Sequence, residues 1–392
     1  MSYVIIGDLF TFPEGEAATN RVHTYAKGFV ANGKRIHIIC FGNVYTHFKN
    51  GEFNRINYYH PFGQTARSNY FVVRTWKKIM KFVRATRLVI NLNRQEKIRA
   101  IIVYTALPLT FLFSWFLSAL TGSKLIQEIS EHPLRNYQKG KFSRKFGVVK
   151  LRTETALADG IFCISHFLID FYKARGVQQH RLFLVPSTVD PQRFNLNTER
   201  PLDFPYIGYF GMLSFNRDNI DNLIHAFARI APKYPNLRLV LGGPQYHNQR
   251  MEVLKLSEGL GLSNRLILLD FLPREEVVKY IVNSEILVMV RADDVKTKAS
   301  FPSKLTEYLA SGRPVITVNV GEIAQYLVDG INAYIVEPGN RDKLAEKIDQ
   351  VLTSYDRAIE TGKRGKLLTE SIFNYNYQAK RMIPFIDSLY KA

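Results

Sequence analysis

The chain has 392 residues, of which 46% are hydrophobic and 13% aromatic. This composition excludes a disordered, collagen-like or low-complexity protein, and the length indicates about two domains. The formal net charge is +19, and residues 1–190 carry 27 basic against 11 acidic side chains. An excess of this kind is compatible with nucleic acid, an anionic membrane surface or a phosphorylated substrate. The only two cysteines, Cys40 and Cys163, lie in apolar runs, so we expect neither a disulfide scaffold nor a cysteine zinc site.

The first half of the chain shows no pattern of a signal peptide or of a transmembrane helix. The first apolar run begins almost at Met1, with no basic leader before it, so we expect no secretory signal peptide. The longest apolar stretch, residues 106–120, is interrupted by Pro108 and is shorter than the ~20 residues that a transmembrane helix needs. We therefore expect no transmembrane helix and a cytoplasmic location, in a reducing compartment.

Short β-branched runs alternate with helical patterns along most of the chain, which predicts parallel sheets built from βαβ units. Each half supplies one set of strands, so the fold class is α/β with two doubly wound, Rossmann-like domains facing each other across a cleft. The predicted strands are residues 3–6, 35–40, 101–104, 124–128, 160–164 and 182–185 in the first half, and 206–209, 237–241, 266–269, 286–290, 314–318 and 333–336 in the second.

The domain boundaries follow from this pattern. Residues 1–190 form the predicted first domain, and the proline-rich stretch 191–205 reads as a linker. Residues 206–372 form the second domain. The last stretch, 373–392, contains an apolar helix that we expect to return to the first domain.

The basic excess of the first domain is densest between Arg74 and Arg87. Cationic side chains alternate there with apolar ones at helical spacing, which predicts a helix with one basic and one apolar face. Such a helix is either an interfacial helix on an anionic membrane or an ordinary core helix with a solvated face. The residues that we assign to membrane or acceptor contact are Arg74, Trp76, Lys77, Lys78 and Lys81.

The most informative segment is residues 298–316. It reads as a loop, a helix that begins near Ser303 with Ser303 as its N-cap, a stop at Gly312 and a buried strand. The amides of that first turn and the adjacent Lys304 form a candidate phosphate site. Glu307, one turn further, could accept hydrogen bonds from a ribose. The alternative is an ordinary capped helix with an acidic residue in its first turns.

This segment resembles the donor-binding signature of family-four glycosyltransferases of the GT-B fold, and other motifs of the chain resemble that family in the same order. The order makes the likeness specific, although each motif alone is weak. The quoted motifs are Pro13-Glu-Gly15 with Arg21, residues 158–165, residues 185–190 with Phe194, Gly208-Tyr-Phe-Gly211 with Arg217, Phe301-Pro-Ser-Lys304, and Glu307-Tyr308 with residues 310–316.

The resemblance implies roles for individual residues. Arg217 and Lys304 would stabilise the donor diphosphate, and Glu131 with His132, in the loop after the fourth predicted strand, would face the donor sugar. For His132 the alternative is a surface histidine fixed by Pro133. The donor would also be held by Gly15, Gly211, Ser300, Phe301, Pro302, Ser303 and Glu307.

The chain also departs from the family pattern. A first glutamate common in relatives falls at Ala299, and a common arginine after the glycine-rich turn is Met212. Glu16 stands beside Gly15, where relatives have a glycine pair. The missing carboxylate at Ala299 bears on sugar selectivity and leaves nucleotide binding intact, whereas the change beside Gly15 bears on backbone contact with the sugar or the phosphate.

The resemblance implies a retaining glycosyltransferase that needs no cofactor and no metal, with UDP- or GDP-sugar as donor and a glycan or lipid-linked acceptor. We read the pair Asp293-Asp294 as solvated charge, because its spacing does not match a metal-binding motif. We see no nucleic-acid signature. Polysaccharide or lipopolysaccharide biosynthesis, at the inner face of the cytoplasmic membrane, is the expected setting. The rival hypotheses are a nucleotide-sugar epimerase of related fold and a non-catalytic GT-B-like binding protein.

Overall fold

The computed structural model of the chain describes residues 1–45, 50–137, 140–196, 199–244 and 246–391. It divides into two compact units, one of residues 1–188 together with the C-terminal helix, the other of residues 189–374. All twelve predicted strands are present, with bounds that differ by up to three residues. Within the described residues, no helix is both long and apolar enough to cross a bilayer.

The first unit is a doubly wound α/β domain. Its sheet has the strand order β3-β4-β2-β1-β5-β6-β7-β8, and all pairs except β3–β4 are parallel. Its elements are β1 (Ser2–Gly7), α1 (Ala17–Ala31), β2 (Arg35–Cys40), β3 (Asn50–Phe53), β4 (Ile56–Tyr59), α2 (Phe71–Gln95), β5 (Ile98–Tyr104), α3 (Pro108–Thr121), β6 (Lys124–Ile129), α4 (Lys141–Leu157), β7 (Gly160–Cys163), α5 (His166–Lys173) and β8 (Leu182–Leu184).

The hairpin β3–β4 is not among the strands predicted from the sequence. All four residues of β3 are exposed, so this edge strand has no buried face and therefore no apolar alternation to detect. Most strands that the sequence did indicate are buried over most of their length, and every residue of β1 and β7 is buried. Continuous apolar runs of this kind are typical of parallel strands covered on both faces.

The second unit repeats the architecture with a parallel sheet of order β11-β10-β9-β12-β13-β14. Its core packs Ile207 and Tyr209 of the central strand against Leu223 and Phe227 of the helix that follows. Its elements are β9 (Tyr206–Phe210), α6 (Phe215–Asp218), α7 (Ile220–Ile230), β10 (Arg238–Gly242), α8 (His247–Gly259), β11 (Leu266–Leu269), α9 (Arg274–Asn283), β12 (Ile286–Met289), α10 (Val295–Lys298), α11 (Ser303–Ser311), β13 (Val315–Val318), α12 (Ile323–Tyr326), β14 (Tyr334–Val336), α13 (Arg341–Thr353) and α14 (Tyr355–Glu370).

The predicted linker is part of the second unit. Residues 191–194 form a 3₁₀ turn capped by Asp190, and Phe194 is buried. The boundary between the units lies between Thr188 and Val189, because the turn at residues 191–194 packs against helices of the second unit.

The last helix, α15 (Tyr375–Ser388), belongs to the first unit and packs along α1. A side chain at Gly28 of α1 would lie 2.7 Å from Ala379 Cβ, so the two helices meet at a glycine. Asn32 also donates to Asn376 Oδ1 at 2.7 Å.

A buried ion pair ties α1 to the centre of the first sheet. Arg21 Nε donates to Glu128 Oε1 at 2.6 Å, and Tyr25 donates to the other carboxylate oxygen at 2.9 Å. The remaining Arg21 nitrogens donate to the carbonyl oxygens of Val185 and Pro186. Arg21, which belongs to the first motif of the family resemblance, is therefore fully engaged inside the first unit.

Replacing Arg21 with Met would leave the Glu128 carboxylate buried without its cation. We expect Arg21→Met to lower the free energy of unfolding of the first unit by about 3–5 kcal/mol in urea denaturation. Arg35→Met is the matched control, because Arg35 pairs with Glu96 at 3.2 Å while 62% exposed; its loss should cost less than about 1 kcal/mol. Equal losses in the two variants would contradict this account.

Candidate functional site

The candidate site lies at the carboxyl edge of the second sheet, where the chain leaves the central strand β9. The strand order reverses between β9 and β12, and ligands of doubly wound sheets bind at such a reversal. The pairing of β12 with β9 covers only Ile207 and Gly208, so it does not reach Phe210. The buried Tyr308 of α11 replaces the missing strand: its hydroxyl accepts from Phe210 N at 2.6 Å and donates to Phe210 O at 3.1 Å.

Lys304 lies under the turn that follows β9. Its ammonium donates to Asp218 Oδ1 at 3.0 Å and to the Tyr209 hydroxyl. A Cβ built on Gly211 would be 2.7 Å from Lys304 Nζ, so the absence of a side chain at Gly211 is what lets the lysine reach this turn. Burial lowers the pKa of Lys304, and the carboxylate of Asp218 opposes that shift.

A second buried cation of this site, Arg291, is not among the site residues predicted from the sequence. It lies two residues after the end of β12 and donates from Nη2 to Ser300 Oγ at 3.0 Å. Burial lowers the pKa of Arg291. The carboxylate of Asp218 raises this pKa and the guanidinium of Arg217 lowers it, so the three charged groups interact electrostatically. A basic residue shortly after a strand at the reversal point was the signal available in the sequence.

The structure corrects two details of the segment around Ser303. Helix α11 begins at Ser303 itself, and Pro302 is its N-cap, with no side-chain cap. Ser303 is therefore the first helical residue rather than the cap, since the Pro302 backbone is already extended. Phe301 is buried among the rings of Tyr326 and Phe373, at centroid distances of 5.5 and 5.3 Å, so its side chain packs the core instead of reaching a donor.

Glu307 lies one turn along α11, with its carboxylate in an ion pair. Arg193 Nη1 is 3.7 Å from Glu307 Oε1, and Arg193 also donates to the carbonyl oxygen of Arg274 at 2.9 Å. Burial raises the pKa of Glu307, and the guanidinium groups of Arg193 and Arg274 counteract the rise. Arg193 lies in the predicted linker, where nothing in the sequence indicated a contact with α11.

The remaining predicted site residues belong to the first unit. A Cβ on Gly15 would lie 2.1 Å from Thr19 Oγ1, so the loop after β1 lies directly on the first turn of α1. Glu131 forms an ion pair with Arg135. His132 Nδ1 accepts from Leu134 N at 3.2 Å, and burial lowers the pKa of the ring, which favours a neutral imidazole with its proton on Nε2.

The membrane or acceptor residues of α2 do not share one environment. Trp76 is 61% exposed, Lys78 is exposed, and Arg74 and Lys77 are partly exposed. Lys81 is buried: its ammonium donates to Phe41 O and Asn43 Oδ1, both at 2.8 Å, and lies 4.1 Å from the centre of the Phe41 ring. The assignment of Lys81 to a membrane surface was wrong, because the buried face of α2 begins at this residue.

Within the described residues, no group of three histidine, cysteine, aspartate or glutamate side chains is placed to hold a metal ion. Asp293 pairs with Lys298 at 3.1 Å. Asp294 caps α10 by accepting from Thr297 N at 2.8 Å. This acidic pair is thus engaged in local structure.

Comparison with known proteins identifies the class. Residues 193–367 match the family described as Glycosyl transferases group 1. The poly(glycerol-phosphate) alpha-glucosyltransferase of Bacillus subtilis is 22% identical over 251 residues, which cover 62% of this chain and 35% of that relative. Two further curated relatives are matched over 41% and 44% of their length. The chain thus spans less than half the length of these relatives.

Solved structures match the whole chain. Sucrose-phosphate synthase from Thermosynechococcus elongatus superposes with a TM-score of 0.75 at 16% identity, over 100% of both chains. Anabaena HepE in complex with UDP-glucose superposes with a TM-score of 0.68 at 13% identity, over 98% of this chain and 100% of that one. The chain therefore has the GT-B fold. Residues 193–367 match the group 1 glycosyltransferase family, so the resemblance expected from the motifs is confirmed.

The Tyr308 hydroxyl gives a testable prediction about the site's framework. Tyr308→Phe would leave the N–H and C=O groups of Phe210 buried without partners, so we expect the free energy of unfolding of the second unit to fall by about 1–3 kcal/mol. Urea denaturation measures the change. Tyr246→Phe, at a tyrosine that is 71% exposed in the same unit, should change it by less than about 0.5 kcal/mol. An unchanged free energy of unfolding in Tyr308→Phe would show that the backbone groups of Phe210 find other hydrogen-bond partners.

Proposed function

We propose that this protein is a retaining, metal-independent glycosyltransferase that moves a sugar from a nucleotide diphosphate donor to a glycan or lipid-linked acceptor. The setting that we propose is the synthesis of cell-surface polysaccharide or lipopolysaccharide at the inner face of the cytoplasmic membrane. One observation carries the proposal: within the residues that match the group 1 family, Lys304, Arg291 and Arg217 gather beside the N-terminus of α11, at the reversal point of the sheet.

This arrangement suits a diphosphate. The first amides of α11 have no acceptors within their own helix, and the positive end of the helix dipole adds to the charge of the neighbouring cations. Asp218 and Asp294 are acids whose charge acts on Arg291, and Asp218 also pairs with Lys304. The clustered cations would stabilise the leaving diphosphate as the bond to the sugar breaks, in place of a metal ion.

Glu307 supplies the second half of a donor site. Its carboxylate can accept two hydrogen bonds from a ribose diol, and Arg193 holds it in position from the side. Uracil and guanine are the donor bases that we propose. The UDP-glucose bound in the solved Anabaena HepE complex belongs to that protein and supports a nucleotide-sugar donor here only by analogy of fold.

The proposed reaction needs no side-chain nucleophile. The bond between the sugar anomeric carbon and the diphosphate oxygen breaks, and the acceptor hydroxyl oxygen forms a new bond to the same carbon on the same face. The hydroxyl proton passes to the departing diphosphate, so the products are a nucleoside diphosphate and a glycoside of retained configuration. A neutral His132, with Glu131 beside it, would donate a hydrogen bond to the donor sugar rather than act as a base.

Two departures from the family pattern motivate a rival, a binding protein without turnover. Ala299 is buried and carries no carboxylate, and Met212 replaces a common arginine. Arg291 argues for turnover, because it supplies a buried positive charge in the same cluster as Lys304. Release of nucleoside diphosphate from UDP- or GDP-sugars, with the sugar recovered on an acceptor, would separate a transferase from a binder. An epimerase would instead return a donor of unchanged mass.

Removal of the Glu307 carboxylate tests the donor site directly. We expect Glu307→Ala to weaken nucleoside diphosphate binding more than tenfold, because charge-assisted hydrogen bonds contribute about 1.5–3 kcal/mol each. Isothermal titration calorimetry measures the dissociation constant. Glu346→Ala removes an exposed glutamate of α13 and should leave it unchanged. A Glu307→Ala variant that binds as tightly as the wild type removes Glu307 from the site.

Arg217 tests the metal-free mechanism, because it is exposed and its loss should not disturb the fold. We expect Arg217→Met to lower kcat about tenfold or more while donor KM changes less, since the diphosphate gains charge in the transition state. EDTA should leave wild-type turnover unchanged. Activity that is lost in EDTA and restored by Mg²⁺ or Mn²⁺ would refute the metal-independent scheme.

A further inference from the structure

Helix α3 of the first unit exposes a wholly apolar outer face. Its 14 residues include no charged side chain, and its inner face, with Phe111 and Leu117, is buried against the sheet. Solvent-exposed apolar side chains at this density are rare on soluble domains and mark an interaction surface. The side chains that are 40–64% exposed on one side of the helix are Leu109, Leu112, Trp115, Phe116 and Leu120.

The apolar face continues onto the two helices that pack against α3, namely α2 and α4. Phe82 of α2 and Phe113 of α3 meet at a ring distance of 4.9 Å, which fixes these two helices side by side. We call the combined surface of the three helices the three-helix face. Outside α3, its side chains that are 46–85% exposed are Phe71, Val72, Trp76 and Ile79 of α2, and Phe142, Phe146 and Val149 of α4.

Positive charge flanks this face on both sides. Helix α2 contains no acidic residue, and the only acid of α4, Glu154, is buried in an ion pair with Lys150 at 2.7 Å. No acidic side chain is therefore exposed on the three helices. The cations that are at least partly exposed on them include Arg74, Lys77, Lys78 and Arg87 of α2, and Lys141, Arg144, Lys145 and Arg152 of α4.

We propose that the three-helix face binds an anionic lipid bilayer, with the apolar side chains of α3 below the headgroups and the cations of α2 and α4 on the lipid phosphates. The proposal rests on the proposed function in one respect: binding to the bilayer would bring the enzyme to a lipid-linked acceptor. Helix α3 would lie in the interface, since 14 residues span about 21 Å against a ~30 Å hydrocarbon core. A second copy fits less well, because a two-fold pairing would bring like charges together.

The two tryptophans of the chain make the proposal measurable. Trp76 and Trp115 are the only ones in the sequence, and both lie on the three-helix face. We expect their emission to shift to the blue on vesicles of equal parts phosphatidylcholine and phosphatidylglycerol, but not on phosphatidylcholine alone. In Trp76→Phe, bromine on the lipid acyl chains should quench the remaining Trp115.

Two variants separate the apolar and the electrostatic contributions. Leu112→Asp with Phe116→Asp should abolish the emission shift and co-sedimentation with anionic vesicles. Lys77→Glu with Lys78→Glu should weaken binding at least about tenfold, and wild-type binding should fall as salt increases. The charge-matched control is Lys343→Glu with Lys363→Glu, two cations of the second unit that are 63% and 64% exposed. Leu367→Asp, at an exposed leucine of α14, is the apolar control.

Failure of this proposal is distinguishable from failure of the proposed function. The Leu112→Asp, Phe116→Asp variant should keep wild-type nucleoside diphosphate binding and donor hydrolysis in solution. Wild-type protein that ignores anionic vesicles at low salt, or variants that bind like the wild type, would overturn the membrane surface while leaving the transferase untouched. If light scattering shows that the wild type is a dimer and that the Leu112→Asp, Phe116→Asp variant is a monomer, the three-helix face is a self-association surface and the membrane proposal is overturned.

Discussion

The hydroxyl of Tyr308 satisfies the backbone of Phe210 at the point where the second sheet divides. Beyond Gly208 the strand β12 no longer pairs with β9, so the next backbone groups on that side need another partner. Tyr308 provides it from the middle of α11 and thereby fixes this helix against the end of β9. Because buried backbone groups are costly to leave unpaired, the position of α11 follows from this requirement.

The charges of the site depend on that placement. With α11 fixed, Lys304 reaches under the Gly211 turn to Asp218, and Glu307 on the next turn faces Arg193. Burial penalises the ammonium of Lys304 and the carboxylate of Glu307 alike, so each has a partner of opposite sign. The same helix thus presents a cation near its N-terminus and a carboxylate one turn later, and the proposed donor site rests on this arrangement.

The two units divide the chemistry of the chain by charge and by exposed surface. The second unit balances most of its charges in ion pairs around a parallel sheet, whereas the first carries most of the net positive charge. That surplus is placed on either side of the bare apolar face of α3, on α2 and α4. Lys81 and Lys150 are exceptions: Lys81 turns inward to the carbonyl of Phe41, and Lys150 is buried in its ion pair with Glu154.

The sequence by itself determined the twelve strands, the α/β class and the helix within the segment 298–316, because apolar parallel strands and the start and stop of a helix leave local patterns. It also indicated the resemblance to group 1 glycosyltransferases, through motifs that are continuous along the chain. It could not give the edge strand β3, whose residues are all exposed, or the contact of Arg193 with Glu307, which joins residues 114 positions apart.

Periodicity shows which side chains share a helix face, but only packing decides which face is buried. The alternation from Arg74 to Arg87 predicted a helix and placed Lys81 with its surface lysines; the tertiary structure buried Lys81 and left Trp76 in solvent. In the same way, residues 106–120 read as an apolar run too short to span a membrane, and only the packed structure distinguished its buried side from its exposed one. Which distant residues become neighbours depends on the strand order of the sheet and on its crossover connections. Local sequence patterns do not contain this information.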